Sequence, residues 1–286
     1  MLFELFASTL RLAVPLIFAA LGGMMSERSG VINIALEGFM LIGAFFGVHF
    51  ALMFHSPWLG LVGAVLAGGI GGLLYVGLVL VGRGDQIVMG TGFNMLAIGL
   101  TPQLCKLFYD TTNGTPSLPI AERFHWEPML IAVVLPFVLH LWLKYTRSGL
   151  WLDFAGANPK ALQTQGVSVG KVRVWAVTMS GALAASGGAT LTIYLSSSFA
   201  RNISAGRGFI ALAALILGRW RPIPALLGCL LFGFADALQI RMQGAAFGGG
   251  TFPVQLIQIM PYAVTLVVLF SWAGGSRAPK ALGSRE

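Results

Sequence analysis

Residues Pro57 to Val81 read PWLGLVGAVLAGGIGGLLYVGLVLV, an unbroken apolar run of 25 residues without a single charge. A helix needs about 20 such residues to cross the hydrocarbon of a bilayer, so this stretch alone argues for a membrane span. Four further runs reach comparable length: Gln86 to Phe108, Pro128 to Tyr145, Trp175 to Tyr194 and Phe252 to Trp272. They are spread along the whole chain and leave no room for a soluble catalytic domain. Lipid offers backbone groups no hydrogen-bond partners, so spanning chains are helical or closed barrels. These runs lack the two-residue alternation of barrel strands, which leaves a helical bundle.

The composition agrees: 56% of the 286 residues are hydrophobic and 10% are charged, far from the balance of a water-soluble domain. The 38 glycines suit close helix packing, with Gly60, Gly63, Ala67 and Gly71 in one run and Gly181, Ala185 and Ala189 in another. Cys105 and Cys229 both lie in apolar segments, without metal-ligand spacing or a disulfide framework. Met1 to Leu16 carries Glu4 and Arg11 but no small-residue cleavage site, so it reads as leading into a retained span.

The net charge of +8 comes from basic residues in the connections between spans, which report orientation and not a nucleic-acid partner. Lys144, Arg147, Lys160, Lys171 and Arg173 crowd one connection, Arg219 and Arg221 a second, and Arg277, Lys280 and Arg285 the tail. All three belong in the cytoplasm by the positive-inside rule. Tyr109 to Glu127, with the turn formers Asn113-Gly114, Pro116 and Pro119, is then external. The expected architecture is an all-α integral membrane protein of about nine spans with its amino terminus outside. It forms one transmembrane domain over 1–286, with a cytoplasmic loop at about 146–173, an external loop at about 109–127 and a cytoplasmic tail at about 274–286.

Ser26 to Glu37 places Glu27, Arg28, Asn33 and Glu37 inside otherwise apolar sequence, which predicts a broken or re-entrant helix. There is a weak internal echo: Gly38 to Ala44 (GFMLIGA) resembles Gly208 to Ala214 (GFIALAA), and the segments beginning at Pro57 and Pro222 share their texture. With the loops assigned as above, the matching spans run in opposite directions, an inverted repeat. The echo also pairs two interruptions, Ser29 to Glu37 and Ser196 to Arg207. Breaks in corresponding positions point to a translocation pathway, and the second reads equally as an external loop.

No nucleotide-binding motif is present. Gly166 to Lys171 is one residue too short for a phosphate-binding loop, and Val172 follows where Ser or Thr belongs. The cytoplasmic loop instead offers a short helix, capped by Asn158, opened by Pro159 and stopped near Gly166, of a kind suited to docking a partner.

With these blocks in hand, the chain resembles the branched-chain amino acid, ribose and nucleoside permease family of ABC importers. The resemblance is densest over Ser26 to Ala44, which looks like the signature of the nucleoside and simple-sugar branch. It continues in Asp85 to Val88 with Asn94, in the loop Gly156-x-Asn158-Pro159, and in Arg207 to Ala213 running on to Gly218-Arg219-Trp220-Arg221-Pro222. The resemblance implies that Gly156, Asn158, Pro159, Ala161 and Gly166 build a coupling helix seated in a cytoplasmic ATPase. Leu162 departs from the small residue frequent there. It also implies that ATP and Mg are used by that partner and no cofactor is bound by this chain. A periplasmic or lipid-anchored binding protein would deliver the solute, and a related permease or a copy of this one would complete the core in the bacterial inner membrane.

Candidate pathway residues are Asn33, Glu37, Phe45, Asn94, Asp236 and Gln239. Glu37 or Asn33 either satisfies broken backbone or meets solute, because an intramembrane carboxylate must pair, cap or face water. Asn94 either bonds solute or joins two helices. Asp236, Gln239 and Gln243 share one helical face, which lines the pathway or meets a neighbouring subunit. His140, Phe45, Phe46 and Phe93 read as packing, although a purine would stack on the phenylalanines. The function expected is import of nucleosides or related sugars. The alternatives are a branched-chain amino acid or ribose permease and an ion-coupled carrier using Glu37 or Asp236. An intramembrane enzyme is disfavoured, because His49, His55, His125 and His140 form no catalytic or metal constellation.

Overall fold

Among the described residues of the computed structural model, apolar runs and capping residues resolve into ten α-helices. The structure describes residues 2–242 and 278–283, with the single positions 259, 263, 266, 267 and 270 between them. The expected span Phe252 to Trp272 therefore lies, apart from those positions, outside the described residues, as do Gln243, Arg277 and Arg285. The helices are α1 (Leu2–Arg28), α2 (Leu36–Phe54), α3 (Pro57–Val76), α4 (Gln86–Tyr109) and α5 (Glu127–Tyr145). They continue as α6 (Arg147–Ala157), α7 (Pro159–Thr164), α8 (Val169–Thr190), α9 (Arg207–Leu217) and α10 (Pro222–Met242). Wider π-helical turns prolong α3 over Gly77–Val81 and α8 over Leu191–Ser196. Among the described residues extended pairing is limited to one antiparallel bridge between Gly114 and Ala200. Among the described residues seven helices are long and apolar enough to cross a membrane, while α9, with 11 residues, is not.

Contacts at the helix ends define two rims. On the basic rim Arg28 meets Asp153 and Trp220, Ile32 meets Gln86, and Gly156 meets Ala281. On the opposite rim His55 meets Glu122, Gly114 meets Ala200, and Glu4 meets Arg241. The chain passes from rim to rim through α1, α2, α3, α4 and α5, turns along the basic rim in α6 and α7, and recrosses through α8. The expected inversion is present: α2 runs away from the basic rim and α3 returns to it, whereas α9 runs toward that rim and α10 away from it.

Small residues set the packing, because their backbones can touch where larger side chains would hold helices apart. A Cβ on Gly188 would lie 1.9 Å from the Met40 carbonyl oxygen, and one on Gly43 2.1 Å from that of Ala185, so α2 and α8 meet backbone to backbone. The two small-residue faces of α3 divide their work. Gly60 faces α2 and Gly71 the rings of Phe93 on α4 and Phe39 on α2, while Gly68 and Gly72, which the spacing argument passed over, lie against Gly181 and Val177 of α8. The outward faces of α4 and α5, with Met95, Leu96, Leu130, Val138 and Leu141, are exposed and apolar, as lipid-facing surfaces must be.

Candidate functional site

α1 ends at Arg28 because Gly30, at φ +97°, turns the backbone into a conformation that side chains resist. Residues 29–35 then cross to the start of α2 as irregular, largely buried chain, and side chains from α3, α4 and α8, together with Asn33 of the segment itself, satisfy several of its free backbone groups. Gln86 Oε1 accepts from Ile32 N at 2.7 Å, and the Tyr75 hydroxyl donates to Ile32 O at 2.8 Å. Asn33 Oδ1 accepts from Ala35 N at 3.1 Å while its amide donates to Ser180 Oγ at 2.8 Å. Asn94 donates to Ile34 O at 2.9 Å and accepts from Gly38 N at 2.8 Å. Arg173 Nε donates to Ser29 O at 3.2 Å from α8.

The second interruption is not a free external loop. After Ser197 the chain descends from the opposite rim until Ser204, fully buried, meets Glu37. Glu37 Oε1 accepts from Ser204 Oγ at 2.5 Å and from Gly206 N at 2.8 Å, and its Oε2 accepts from Gly208 N at 2.7 Å. The carboxylate thus caps α9 from another helix, satisfying N–H groups that a helix start leaves open and matching its positive end. From this cap to the basic rim α9 covers about 16 Å at ~1.5 Å per residue, half of the ~30 Å hydrocarbon. The two breaks therefore meet near mid-depth.

Asn33, Glu37 and Asn94 are brought together here, buried and bonded to the protein itself. Phe45 lies two turns further along α2, fully buried, with His49 stacked at 5.7 Å and Phe199 edge-on at 5.8 Å. Asp236 and Gln239 sit elsewhere, half-buried on α10, with Arg207 near enough to act electrostatically on Asp236. Among the described residues no group of three His, Cys, Asp or Glu could hold a metal ion.

On the basic rim α7 is built as its local sequence demands. Asn158 Oδ1 accepts from Ala161 N at 3.3 Å, Pro159 opens the helix, and Gly166, at φ +78°, ends it. Leu162 turns inward onto Ala155 and Val169, while Lys160, Gln163 and Thr164 are exposed. Gly156 is not part of the exposed face: a Cβ there would lie 2.1 Å from the Arg28 carbonyl oxygen, so it seats α6 on the end of α1. Arg28 binds Asp153 through two bonds of 2.6 Å, and the Trp220 indole donates to Glu27 at 2.5 Å. Sequence reasoning missed Glu27, Arg28, Asp153, Gln86 and Trp220 as a cluster. A signal was present in polar residues ending apolar runs, but their partners lie far away in sequence.

A bundle of membrane-crossing helices, two of them interrupted toward a shared mid-depth contact, with a capped helix standing on one rim, defines a transport permease. The chain belongs to the family described as branched-chain amino acid transport system / permease component, which matches residues 5–269. It is 36% identical to the guanosine ABC transporter permease protein NupQ of Bacillus subtilis, covering 96% of this chain and 94% of that protein. It is also 36% identical to the nucleoside ABC transporter permease protein NupC of Lactococcus lactis, over 97% and 94%. A second Lactococcus lactis protein, the nucleoside ABC transporter permease protein NupB, is 24% identical over 96% of this chain and 81% of its own length.

Proposed function

We propose that this chain is the membrane-spanning subunit of an ATP-driven importer for nucleosides or related simple sugars. The observation that carries the reading is near full-length similarity at 36% identity to two permeases named for guanosine and nucleoside transport. The exposed, capped α7 supports the division of labour, since it offers a docking surface where the chain offers no phosphate-binding loop. ATP and Mg are then consumed by a cytoplasmic ATPase partner seated on α7, and this chain needs no cofactor. The basic rim faces the cytoplasm and the opposite rim faces outward in a bacterial inner membrane, where a periplasmic or lipid-anchored binding protein presents the solute.

Lactococcus lactis has both NupC and the more distant NupB, each matching this chain, which supports a core of two related permeases over a homodimer. The chain acts throughout as one permease domain over 1–286. The description of its family also names branched-chain amino acids, and that is the competing substrate class. Uptake of labelled nucleosides, ribose, glucose and leucine by the complex in liposomes, with and without internal ATP, decides between them. ATP-dependent uptake of a nucleoside or sugar is expected. Uptake of leucine alone, or uptake driven by a proton or sodium gradient without ATP, overturns the reading.

A further inference from the structure

The six pathway candidates fall into two groups. Asn33, Glu37 and Asn94 are spent on internal hydrogen bonds and Phe45 on packing, so none of them is available to solute without unmaking the breaks. Asp236 and Gln239 are half-buried and make no hydrogen bond or ion pair among the described residues.

Their position explains how an uncapped carboxylate persists in an apolar helix. Gly218 packs on Ala225 and Gly228 on Ala214, so α9 and α10 are antiparallel in a defined register. Continued along α10, that register brings Asp236 level with Arg207 at the head of α9, and Gln239 beyond it. Because α9 stops at mid-depth, the outer half of α10 has no α9 beside it. The connecting segment there exposes Arg201 and Asn202, and Arg207 bonds back to Ile203 O at 3.2 Å. An ionisable group at this depth is tolerated where it faces water or a polar path.

We propose that Asp236 and Gln239, with Arg207 opposite, form the polar wall that the solute meets on entering from the outer rim, and that this wall recognises the vicinal hydroxyls of an uncharged sugar ring. A carboxylate accepts from two neighbouring hydroxyls at once, and a Gln amide supplies one acceptor and two donors beside it. Arg207 balances the charge of Asp236, so the site is neutral overall and favours uncharged nucleosides or sugars over phosphorylated ones. The inference rests on the importer reading and adds the residues and the feature of the solute they take.

The test uses the complete complex with its ATPase, second permease and binding protein in liposomes. Gln239→Cys is expected to react with a membrane-impermeant thiol reagent from the outer side, and loaded binding protein with ATP should slow that reaction. Asn202→Cys serves as the exposed control. Asp236→Leu is expected to lower guanosine uptake by about ten- to a hundredfold, the scale of one lost charge-assisted hydrogen bond. Asp236→Asn should retain more uptake than Asp236→Leu, and Gln239→Leu should raise KM for guanosine more than for a 2′,3′-dideoxynucleoside. Affinity of the isolated binding protein, measured separately, keeps its own selectivity out of the comparison. Wild-type uptake in Asp236→Leu, no labelling of Gln239→Cys beside a labelled control, or failure of Asp236→Leu and Gln239→Leu alike to assemble overturns the proposal. If the wild-type complex takes up neither nucleoside nor sugar, the importer reading falls and the solute class with it. The labelling result still decides whether this wall faces water.

Discussion

Glu37 at the head of α2 and Gly208 at the head of α9 are bonded to each other across the two inverted halves of the bundle, carboxylate Oε2 to backbone N–H at 2.7 Å. In the internal echo the residue aligned with Gly208 is Gly38, the immediate neighbour of Glu37, so the contact lies where the two repeats meet. Gly208 must be glycine, since a Cβ there would fall 2.5 Å from Glu37 N. A buried carboxyl group is held here by three donors, one of them a hydroxyl and two from the start of a helix.

Replacing Glu37 removes the acceptor and leaves those donors buried. Each unsatisfied group costs ~1–3 kcal/mol, so Glu37→Ala should destabilise the folded permease by about 3 kcal/mol or more. Glu37→Gln keeps one acceptor and turns an amide NH2 toward an N–H, so its loss should be smaller. Thermal unfolding of the purified complex checks the order: wild type highest, then Gln, then Ala. Equal midpoints for all three would remove the capping role.

Glycine substitutions separate contact from composition. Gly188→Ala drives a methyl into the Met40 carbonyl at 1.9 Å, where both helices are buried and neither can yield. Gly99, also within an apolar helix, has nothing within 4 Å of the position a Cβ would take. Gly188→Ala should therefore abolish recovery of assembled protein, while Gly99→Ala should equal or exceed the wild type, since alanine favours the helix by about 1 kcal/mol. Fluorescence-detected size exclusion of the two variants is sufficient to compare them.

What was legible in the sequence divides by distance along the chain. The cap of α7 was legible because Asn158, Pro159 and Gly166 act on backbone within a few residues, and the apolar runs of α3, α4 and α5 because crossing hydrocarbon is a demand on composition. The break after Arg28 was legible from its polar content, but not its satisfaction. Asn33 finds Ser180 across 147 positions, and Glu37 finds Ser204 across 167. Nothing local distinguishes a carboxylate that will cap a distant helix from one that will face a solute. The Asp85 cap of α4 was local and still passed over, although its side chain accepts from Ile87 N and Val88 N at 3.0 and 3.1 Å. Asp236 and Gln239, three residues apart in α10, share a face as their spacing implies, but what that face meets depends on the shortness of α9, which spacing does not reveal.

The docking role proposed for α7 predicts a loss of function without a loss of fold. Ala161→Asp places a charge on the rim helix, and Gly166→Pro demands φ near −65° where the backbone stands at +78°. The pair should abolish ATP-dependent uptake while membrane insertion and stability stay near wild type, because the helix is short and its surface exposed. Asn158→Ala should weaken the same helix by ~1 kcal/mol and reduce uptake partially. Full uptake in the double variant, with normal amounts of assembled complex, would place the docking surface elsewhere.

The tail ties this rim to the first break, which yields a prediction about coupling. Ala281 N donates to Gly156 O at 2.8 Å, and Gly283 N donates to Gly30 O at 3.0 Å, so a few residues bridge the base of the rim helices and the turn that ends α1. The Arg28 and Asp153 pair fastens the same two elements through side chains. A force applied to α7 therefore reaches Gly30 along two parallel routes. Ala281→Pro deletes the N–H of the first, and Asp153→Asn weakens the charge-assisted bonds of the second. Each should lower the amount of solute moved per ATP hydrolysed, and the double variant should lower it more than either alone. Ala281→Ser keeps the N–H and should behave as wild type. The ratio of uptake to phosphate release in liposomes is the quantity to measure: an unchanged ratio in the double variant, with both rates near normal, would show that rim and break move independently.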